Sequence, residues 1–339
     1  MNRIKYVDTL KFVAIFSIVA LHITGLFSSQ TIFHNITFEN FKEIFRFAVP
    51  LFLMITGMLT LNREIELKKF FQKKIIRLCY PLLFFFIIAC LIGLYRLDLF
   101  FNKFWYCWMV LGVFLAIPLI NIFVKNVNET ELKYTISLFL ISSLIYTLAS
   151  LMKYQISLDL YFFIGPISYL LLGYYLSIKE FKLSPNIIVI ISLAIFILIC
   201  YLKMHFHNDF LYLHNHNPVH SLLNLSFMQI IQSASIFVLF KYLYECTNGI
   251  SGIIKRILEQ RIINGFIISV SRSSYGIYMF HLIILSAFIT PTLSKYHFSQ
   301  GISTTIAYFI ITVGLLLFSW AVIAILGKIP YINKLSGYS

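Results

Sequence analysis

The sequence predicts an all-α integral membrane protein, a bundle of about ten transmembrane helices. Of its 339 residues, 60% are hydrophobic and 12% are charged, whereas a soluble domain carries about a quarter charged residues. Ten apolar segments have lengths suited to a hydrocarbon core of about 30 Å. Their approximate ranges are 9–29, 44–62, 78–95, 105–124, 134–152, 160–178, 186–203, 221–244, 263–288 and 303–327.

Charge placement predicts the orientation of the bundle. With the N-terminus in the cytoplasm, most of the 27 Lys and Arg residues fall in cytoplasmic segments, as the positive-inside rule requires. An even number of spans then places the C-terminus in the cytoplasm as well. An anionic cytoplasmic leaflet explains the formal net charge of +14, so no nucleic-acid partner is expected.

The chain is expected to be a single transmembrane domain over residues 1–339, without an appended soluble domain. The first apolar segment contains charged residues and no small-residue cleavage site, so it is predicted to be a span and not a cleaved signal. The 5 cysteines are scattered through apolar runs. This pattern favours small core side chains over a disulfide framework or a metal site.

Three ionisable residues mark the first span, namely Asp8, Lys11 and His22. Lys11 and His22 are close to three helical turns apart, so both leave one helix face, separated by about 16 Å along the axis. Asp8 precedes Lys11 by three residues and is predicted to pair with it. Ionisable groups inside a membrane are usually functional, although Lys11 alone also fits a side chain that reaches back to the surface.

Cations also flank the second span. Arg46 lies at its outer end, four residues before Pro50, and fits either an interfacial anchor or a pocket residue. In the basic loop that follows, an i,i+4 series at positions 69, 73 and 77 would project from one helical face. These cations fit a lipid-headgroup surface or a site for a phosphate-bearing cytosolic cofactor.

The ninth span contains a second informative pattern. Four polar residues recur there every three or four positions, which places them on one helical stripe: Ser271, Ser274, Tyr278 and His281. The helix enters from the cytoplasm, so Arg272 is expected near that face and His281 near mid-membrane, at a depth like that of His22. Helix–helix hydrogen bonding is one explanation of this stripe, and a functional site is the other.

Two further segments are less specific. An aromatic belt explains Trp105, Tyr106 and Trp108 at the outer end of the fourth span. The longest outer loop, about 204–220, contains five histidines, with no cysteine and with Asp209 as its one carboxylate. A polar loop near an outer substrate is therefore favoured over metal binding, and no metal is expected.

Taken together, these stretches resemble the acyltransferase-3 family of integral-membrane acyltransferases, especially its short stand-alone members that O-acetylate enterobacterial common antigen or acylate poly-N-acetylglucosamine. The matching motifs keep the family's order over most of the chain. They are Asp8-x-x-Lys11-x10-His22, Arg46-x-x-Val49-Pro50-Leu-Phe, Arg77-x-x-x-Pro81, Trp105 with Pro118, Gly173-Tyr174, and Ser271-x-x-Ser274-x-Gly276-Ile-Tyr278-x-x-His281. The family usually has Arg at the position of Lys11, so the charge is kept but the planar fork of a guanidinium is not.

The resemblance implies ten helices in a bacterial cytoplasmic membrane and an acyl-CoA, most readily acetyl-CoA, as cytosolic donor. It also implies acyl transfer to a hydroxyl of a cell-envelope glycan on the outer side. His22 would then be the base, and His281, Tyr278 or Ser274 would hold the acyl carbonyl or orient His22. Lys11, with Asp8, would guide the thioester.

The remaining residues would bind the substrates. The resemblance implies that the donor's nucleotide phosphates are bound by Lys73, Lys74, Arg77 and Arg272. It implies that the acyl or acceptor pocket includes Arg46, Ser271, Ser274, Tyr278 and Trp105.

A secondary transporter or glycan flippase without covalent chemistry is the alternative. Such a protein would use the same intramembrane histidines and lysine as a proton or substrate relay. It would move its substrate with no acyl-CoA present, whereas the enzyme would consume acyl-CoA. The resemblance favours the enzyme.

Overall fold

The computed structural model of the chain describes residues 3–27, 31–33, 36–93, 104–152, 163–205, 226–293 and 302–338. Within these ranges, eight helices are long and apolar enough to cross a membrane, and two shorter apolar helices accompany them. Together they lie at the ten predicted positions. The chain is therefore a multi-pass bundle of membrane helices, with one short pair of strands beside them.

The first part of the chain contains three of the long spans and the strand pair. Its elements are α1 (Lys5–Thr24), a 3₁₀ turn (Gly25–Phe27), β1 (Thr31–Phe33), β2 (Ile36–Thr37), α2 (Phe38–Phe41), a second 3₁₀ turn (Lys42–Ile44), α3 (Ala48–Thr60), α4 (Leu67–Phe70), a π-helical segment (Phe71–Ile75) and α5 (Ile76–Leu91). Strands β1 and β2 pair antiparallel, with Thr31 opposite Thr37.

The second part contains both shorter apolar helices. Its elements are α6 (Trp105–Asn126), α7 (Glu129–Leu151), α8 (Pro166–Ile178), α9 (Pro185–His205), α10 (Phe227–Leu243), α11 (Gly249–Glu259), α12 (Arg261–Ile284), a second π-helical segment (Leu285–Ile289), α13 (Thr290–Leu293), α14 (Ile302–Leu326) and α15 (Ile332–Leu335).

The sixth span is shorter than its predicted length. Helix α8 has 13 residues and begins with Pro166 directly after Gly165, so its axis is about 20 Å long. That is shorter than the hydrocarbon core of about 30 Å. The start of the predicted span, up to residue 162, lies outside the described residues.

Helix α1 is central, since it packs against α3, α10, α12 and α14. Its apolar residues surround the helix axis, which is the pattern of a helix with protein on every side. Leu10, Ala14, Ile15 and Val19 are fully buried. The ionisable residues of α1 are therefore placed among neighbouring helices.

Helices α3 and α8 are in close backbone contact through two glycines. A Cβ added at Gly57 would lie 2.0 Å from the carbonyl oxygen of Leu170, and one at Gly173 would lie 2.2 Å from that of Met54. Small residues at a crossing allow two membrane helices to approach this closely. The Gly173 of the sequence motif therefore has a packing role.

Gly173→Val is expected to force α3 and α8 apart and to lower the unfolding temperature in detergent. The added carbons have no space, and overpacking of this kind destabilises by about 1–3 kcal/mol. Gly112→Ala in α6 is the control, because nothing lies within 4 Å of a Cβ at that position. Equal unfolding temperatures for the two variants would contradict the close crossing.

Candidate active site

A buried carboxylate joins α1 to α12. Asp8 is 6% exposed and accepts from Arg3 twice, from Nε to Oδ2 at 2.5 Å and from Nη2 to Oδ1 at 2.8 Å. The hydroxyl of Ser271 donates to Oδ1 at 2.6 Å. These three donors satisfy the carboxylate, as a buried charge requires. We call Arg3, Asp8 and Ser271 the carboxylate clamp.

The predicted pairing of Asp8 with Lys11 is wrong. Asp8 accepts its hydrogen bonds from Arg3 and Ser271. Lys11 interacts with Asp8 only through its charge. A guanidinium matches the two oxygens of a carboxylate, whereas an ammonium is a point charge. The hydrogen bond with Asp8 raises the pKa of Arg3 above its ordinary value. Ser271, expected in the acyl or acceptor pocket, lies at this clamp.

Three cations converge next to the clamp, namely Lys11, Lys74 and Arg77. Lys74 and Arg77 are close enough to Lys11 to act on its charge, and Arg3 contributes from the clamp. Lys74 and Arg77 are exposed, while Lys11 is half-buried. We call these three residues the cationic cluster. It opens to solvent and reaches into the bundle, and such a concentration of one charge attracts anionic ligands.

The first π-helical segment explains why Lys74, and not Lys73, belongs to the cationic cluster. Residues Phe71–Ile75 form a π-helix, whose i→i+5 pattern adds a residue to the turn and rotates the side chains that follow. The predicted i,i+4 series at 69, 73 and 77 is therefore interrupted by a wider turn. Lys69 pairs with Glu66 at 2.6 Å on an exposed surface, and Lys73 is exposed.

Tyr275 holds α5 against α12 beside Arg77. Its hydroxyl donates to the carbonyl oxygen of Leu78 at 2.9 Å. Because Leu78 follows Arg77 directly, this contact fixes the start of α5 near the clamp. The cationic cluster is thus assembled from α1, the π-helical segment and α5, with α12 as the common support.

Two histidines meet at the other end of α1. The ring centroids of His22 and His281 are 5.3 Å apart, and the ring planes are inclined by 49°. His22 is half-buried in the last turn of α1, and His281 is fully buried in the last turn of α12. The structure therefore brings together the two histidines that the sequence placed at similar depth.

The tautomer of His281 follows from its surroundings. Its Nδ1 lies 2.8 Å from the carbonyl oxygen of Ile277, which can only accept, so Nδ1 must carry the proton. Nε2 then has a free lone pair. This atom is buried and has no hydrogen-bond partner. Since buried polar atoms are normally bonded, an open acceptor beside His22 points to a ligand or a proton donor.

An aromatic pair lies beside the histidines. The ring centroids of Tyr278 and Tyr106 are 4.9 Å apart, and Tyr278 is 5.9 Å from His281. Both tyrosines are buried, so the belt interpretation of Tyr106 is wrong. Trp105 lies next to Tyr106 at the start of α6, with ring centroids 6.2 Å apart. Sequence reasoning missed Tyr106 as a site residue, although its neighbour Trp105 was among the candidates.

Gly276 of the ninth-span motif makes room for the C-terminal segment. A Cβ there would lie 2.2 Å from the carbonyl oxygen of Ser336. Ser336 is fully buried, and the short helix α15 that precedes it packs against α5. The motif glycine therefore has a structural role, which is to seat residues 332–338 between α12 and α5.

Arg46 belongs to a second polar cluster, at the end of the bundle opposite the clamp. Its Nε donates to Glu43 at 2.5 Å. Lys203 lies 3.3 Å from the same carboxylate and donates to Gln229 and Gln232 at 2.5 and 2.9 Å. Lys203 is 2% exposed and lies in the last turn of α9. No spacing signal in the sequence marks this cluster, because its members come from three separate segments.

The other candidates from the sequence that the structure describes do not join the clusters defined above. Ser274 is half-buried on the α12 stripe, and Arg272 is exposed midway along that helix. Apart from His205, the histidine-rich loop lies outside the described residues, so its role stays a prediction. All five cysteines are free, and Cys107, Cys200 and Cys246 are buried as expected, whereas Cys90 is exposed.

The comparisons with known proteins identify the family. A family model described as an acyltransferase domain matches residues 4–324, which is nearly the whole chain. The chain therefore belongs to the acyltransferase-3 family and is a multi-pass membrane acyltransferase. No curated protein and no solved structure matches it significantly. Family membership favours the enzyme over the transporter or flippase that the sequence left as an alternative.

Ser271→Ala is expected to destabilise the protein by about 1.5–3 kcal/mol, because it removes a donor from a buried carboxylate. Ser273→Ala is the matched control. Ser273 is also buried, but its hydroxyl donates within α12, to the carbonyl oxygen of Ser269 at 2.9 Å, so its loss should lower stability by about 1 kcal/mol or less. Thermal unfolding in detergent measures both.

A double-mutant cycle with Asp8→Ala extends this test. The combined effect of Ser271→Ala and Asp8→Ala should be clearly smaller than the sum of the single effects, because both substitutions remove the same hydrogen bond. Strict additivity would show that Ser271 does not act through Asp8.

Proposed function

We propose that this acyltransferase O-acetylates a cell-envelope glycan, with acetyl-CoA as donor, in a bacterial cytoplasmic membrane. Both termini would be cytosolic, so the cationic cluster would face the cytosol and the histidine pair would lie toward the outer side. The observation that carries this proposal is the polar line along α1. It begins at the solvent-open cationic cluster and ends about 16 Å further along the helix at His22.

The cationic cluster fits the donor. Coenzyme A is a phosphate-rich nucleotide joined to an extended thiol arm, and Arg and Lys are the usual phosphate ligands. Lys74 and Arg77 are exposed and would bind the phosphates, with Lys73 and Arg272 at the margin. Lys11 is half-buried and would mark the point at which the arm enters the bundle.

The histidine pair fits the chemical step. His22 would take the proton from the acceptor hydroxyl as its oxygen attacks the thioester carbonyl. The new C–O bond replaces the C–S bond, and the proton passes from His22 to the departing thiolate, giving the ester and free coenzyme A. The open Nε2 of His281 would accept the other N–H of His22 and orient that ring, as the third group does in other base-activated sites.

The aromatic pair fits a small acyl group. Tyr278 lies 5.9 Å from His281, where its hydroxyl would donate to the carbonyl oxygen as negative charge develops. The ring of Tyr106 packs against that of Tyr278, with centroids 4.9 Å apart. A site bounded in this way favours acetyl over a longer or charged acyl group.

His22→Gln and His281→Gln are both expected to lower acetyl transfer at least a hundredfold, the lower range for loss of general base catalysis. Tyr134→Phe in α7 is the control and should keep wild-type activity, because that ring is 65% exposed and lies outside the proposed site. The measurement is acetyl-CoA consumption and glycan O-acetylation by purified protein, with unfolding temperatures to verify the fold. Wild-type activity in either site variant would reject the assignment.

Arg77→Ala and Lys11→Ala are expected to raise the KM for acetyl-CoA at least tenfold, since a lost charge-assisted phosphate contact is worth about 1.5–3 kcal/mol. Lys68→Ala, an exposed cation of the same basic segment, should leave KM unchanged. Lys11→Arg should keep activity. If Lys68→Ala weakens acetyl-CoA as much as Arg77→Ala does, the effect is general surface charge and not a site.

A further inference from the structure

The proposed reaction does not use helix α11. It is an 11-residue helix, Gly249–Glu259, and is therefore about 16 Å long, too short to cross a membrane. It lies between α10 and α12 and contacts both of them, together with α9. It ends at Glu259, and a single residue, Gln260, separates it from α12.

The apolar face of α11 points away from the protein. Four isoleucines recur at i, i+3, i+4 and i+7 and are 79%, 51%, 42% and 46% exposed, in the order Ile250, Ile253, Ile254 and Ile257. The small residues Ser251 and Gly252 form the face that is buried. A Cβ at Gly252 would lie 2.7 Å from the carbonyl oxygen of Thr247, in the turn that leads into the helix.

This arrangement is the reverse of that of a helix on a water-exposed surface. Such a helix buries its apolar stripe and exposes its polar face. Here the small polar face is inside and a contiguous isoleucine stripe is outside, which is stable only in contact with another apolar medium. An amphipathic helix that lies flat at a bilayer has this pattern, with its apolar side among the acyl chains and cations at the border.

The residues around α11 provide both an apolar surface next to the stripe and cations at its border. The apolar stripe continues into Ile262 at the start of α12, which is 86% exposed, and α9 beside it exposes Ile187 and Ile190, two residues of a membrane-spanning helix. Arg256 and Arg261 are exposed next to the stripe. The bilayer that surrounds α9 and α12 is therefore already at the edge of α11.

We propose that α11 lies in the plane of the membrane, with its isoleucines in the acyl region and Arg256 and Arg261 on anionic phospholipid headgroups. The helix is also tied to the catalytic bundle. Lys5 at the start of α1 forms an ion pair with Glu259 at 2.8 Å, and α12 follows directly. The helices that carry His22 and His281 are thus both anchored, at their clamp ends, to one element resting on the lipid surface.

Site-directed spin labels test the position of α11 in the full-length protein. Single labels at Ile254→Cys and Arg256→Cys are compared in nanodiscs of phosphatidylcholine and phosphatidylglycerol, in a Cys90→Ser background. The two positions are about 200° apart around the helix, so each is the control for the other. Collision with oxygen reports lipid, and collision with a nickel chelate reports water.

The proposal expects the Ile254 label to collide with oxygen and to be shielded from the nickel chelate, and the Arg256 label to show the opposite order. Free access of the chelate to the Ile254 label would place the stripe in water and overturn the proposal. Shielding from both reagents, with a dimer mass by light scattering, would assign the stripe to a second copy of the chain and also overturn it.

The proposed contact of Arg256 and Arg261 with anionic headgroups is tested separately. Phosphatidylglycerol should raise the unfolding temperature of the wild type relative to phosphatidylcholine alone, and Arg256→Gln with Arg261→Gln should lose a measurable part of that increase. Lys125→Gln is the control on the same side of the bundle, since Lys125 is already paired with Glu64 at 2.5 Å. An undiminished increase in the double variant would reject the role of the two arginines.

Discussion

The satisfaction of one buried carboxylate determines how the two chemically important helices meet. Asp8 cannot stay charged inside the bundle unless several donors surround it. Arg3 supplies two and Ser271 supplies one, and the last of these comes from another helix. The clamp therefore fixes the rotation of α1 relative to α12. The contact between His22 and His281 at the far end of the same two helices depends on that rotation.

The buried polar groups of this protein differ in how completely they are bonded. Lys203 donates to Gln229, Gln232 and the backbone of Glu43, and it also faces the Glu43 carboxylate. Such a saturated group links α9 and α10 to the segment before α3. His281 uses one nitrogen and leaves the other open. The ammonium of Lys203 makes three hydrogen bonds and suits a structural role, although the Nε2 of Gln229 beside it has no partner. The open nitrogen of His281 lies in the proposed site, where an unsatisfied group gains by binding a substrate or a proton.

Patterns with a short period were readable in the sequence, and contacts between distant segments were not. The ten spans and the facing histidines follow from apolar length and from helical spacing along α1 and α12. The partner of Asp8 did not follow, because Arg3 precedes the apolar run and Ser271 lies 263 positions away. The π-helical segment was equally hidden, since its sequence reads as ordinary helix. The wider turn of this segment places Lys74, rather than Lys73, close enough to Lys11 to act on its charge.

The separation of Asp8 from Ser271 also affects how the protein is made. Helix α1 is synthesised and inserted long before α12 exists, so its carboxylate must be tolerated in a membrane environment without Ser271. Arg3 is only five residues away and can pair with Asp8 as soon as α1 has been made. The hydrogen bond from Ser271 can form only after α12 has been inserted. The proposed site is thus completed late in the biogenesis of the protein.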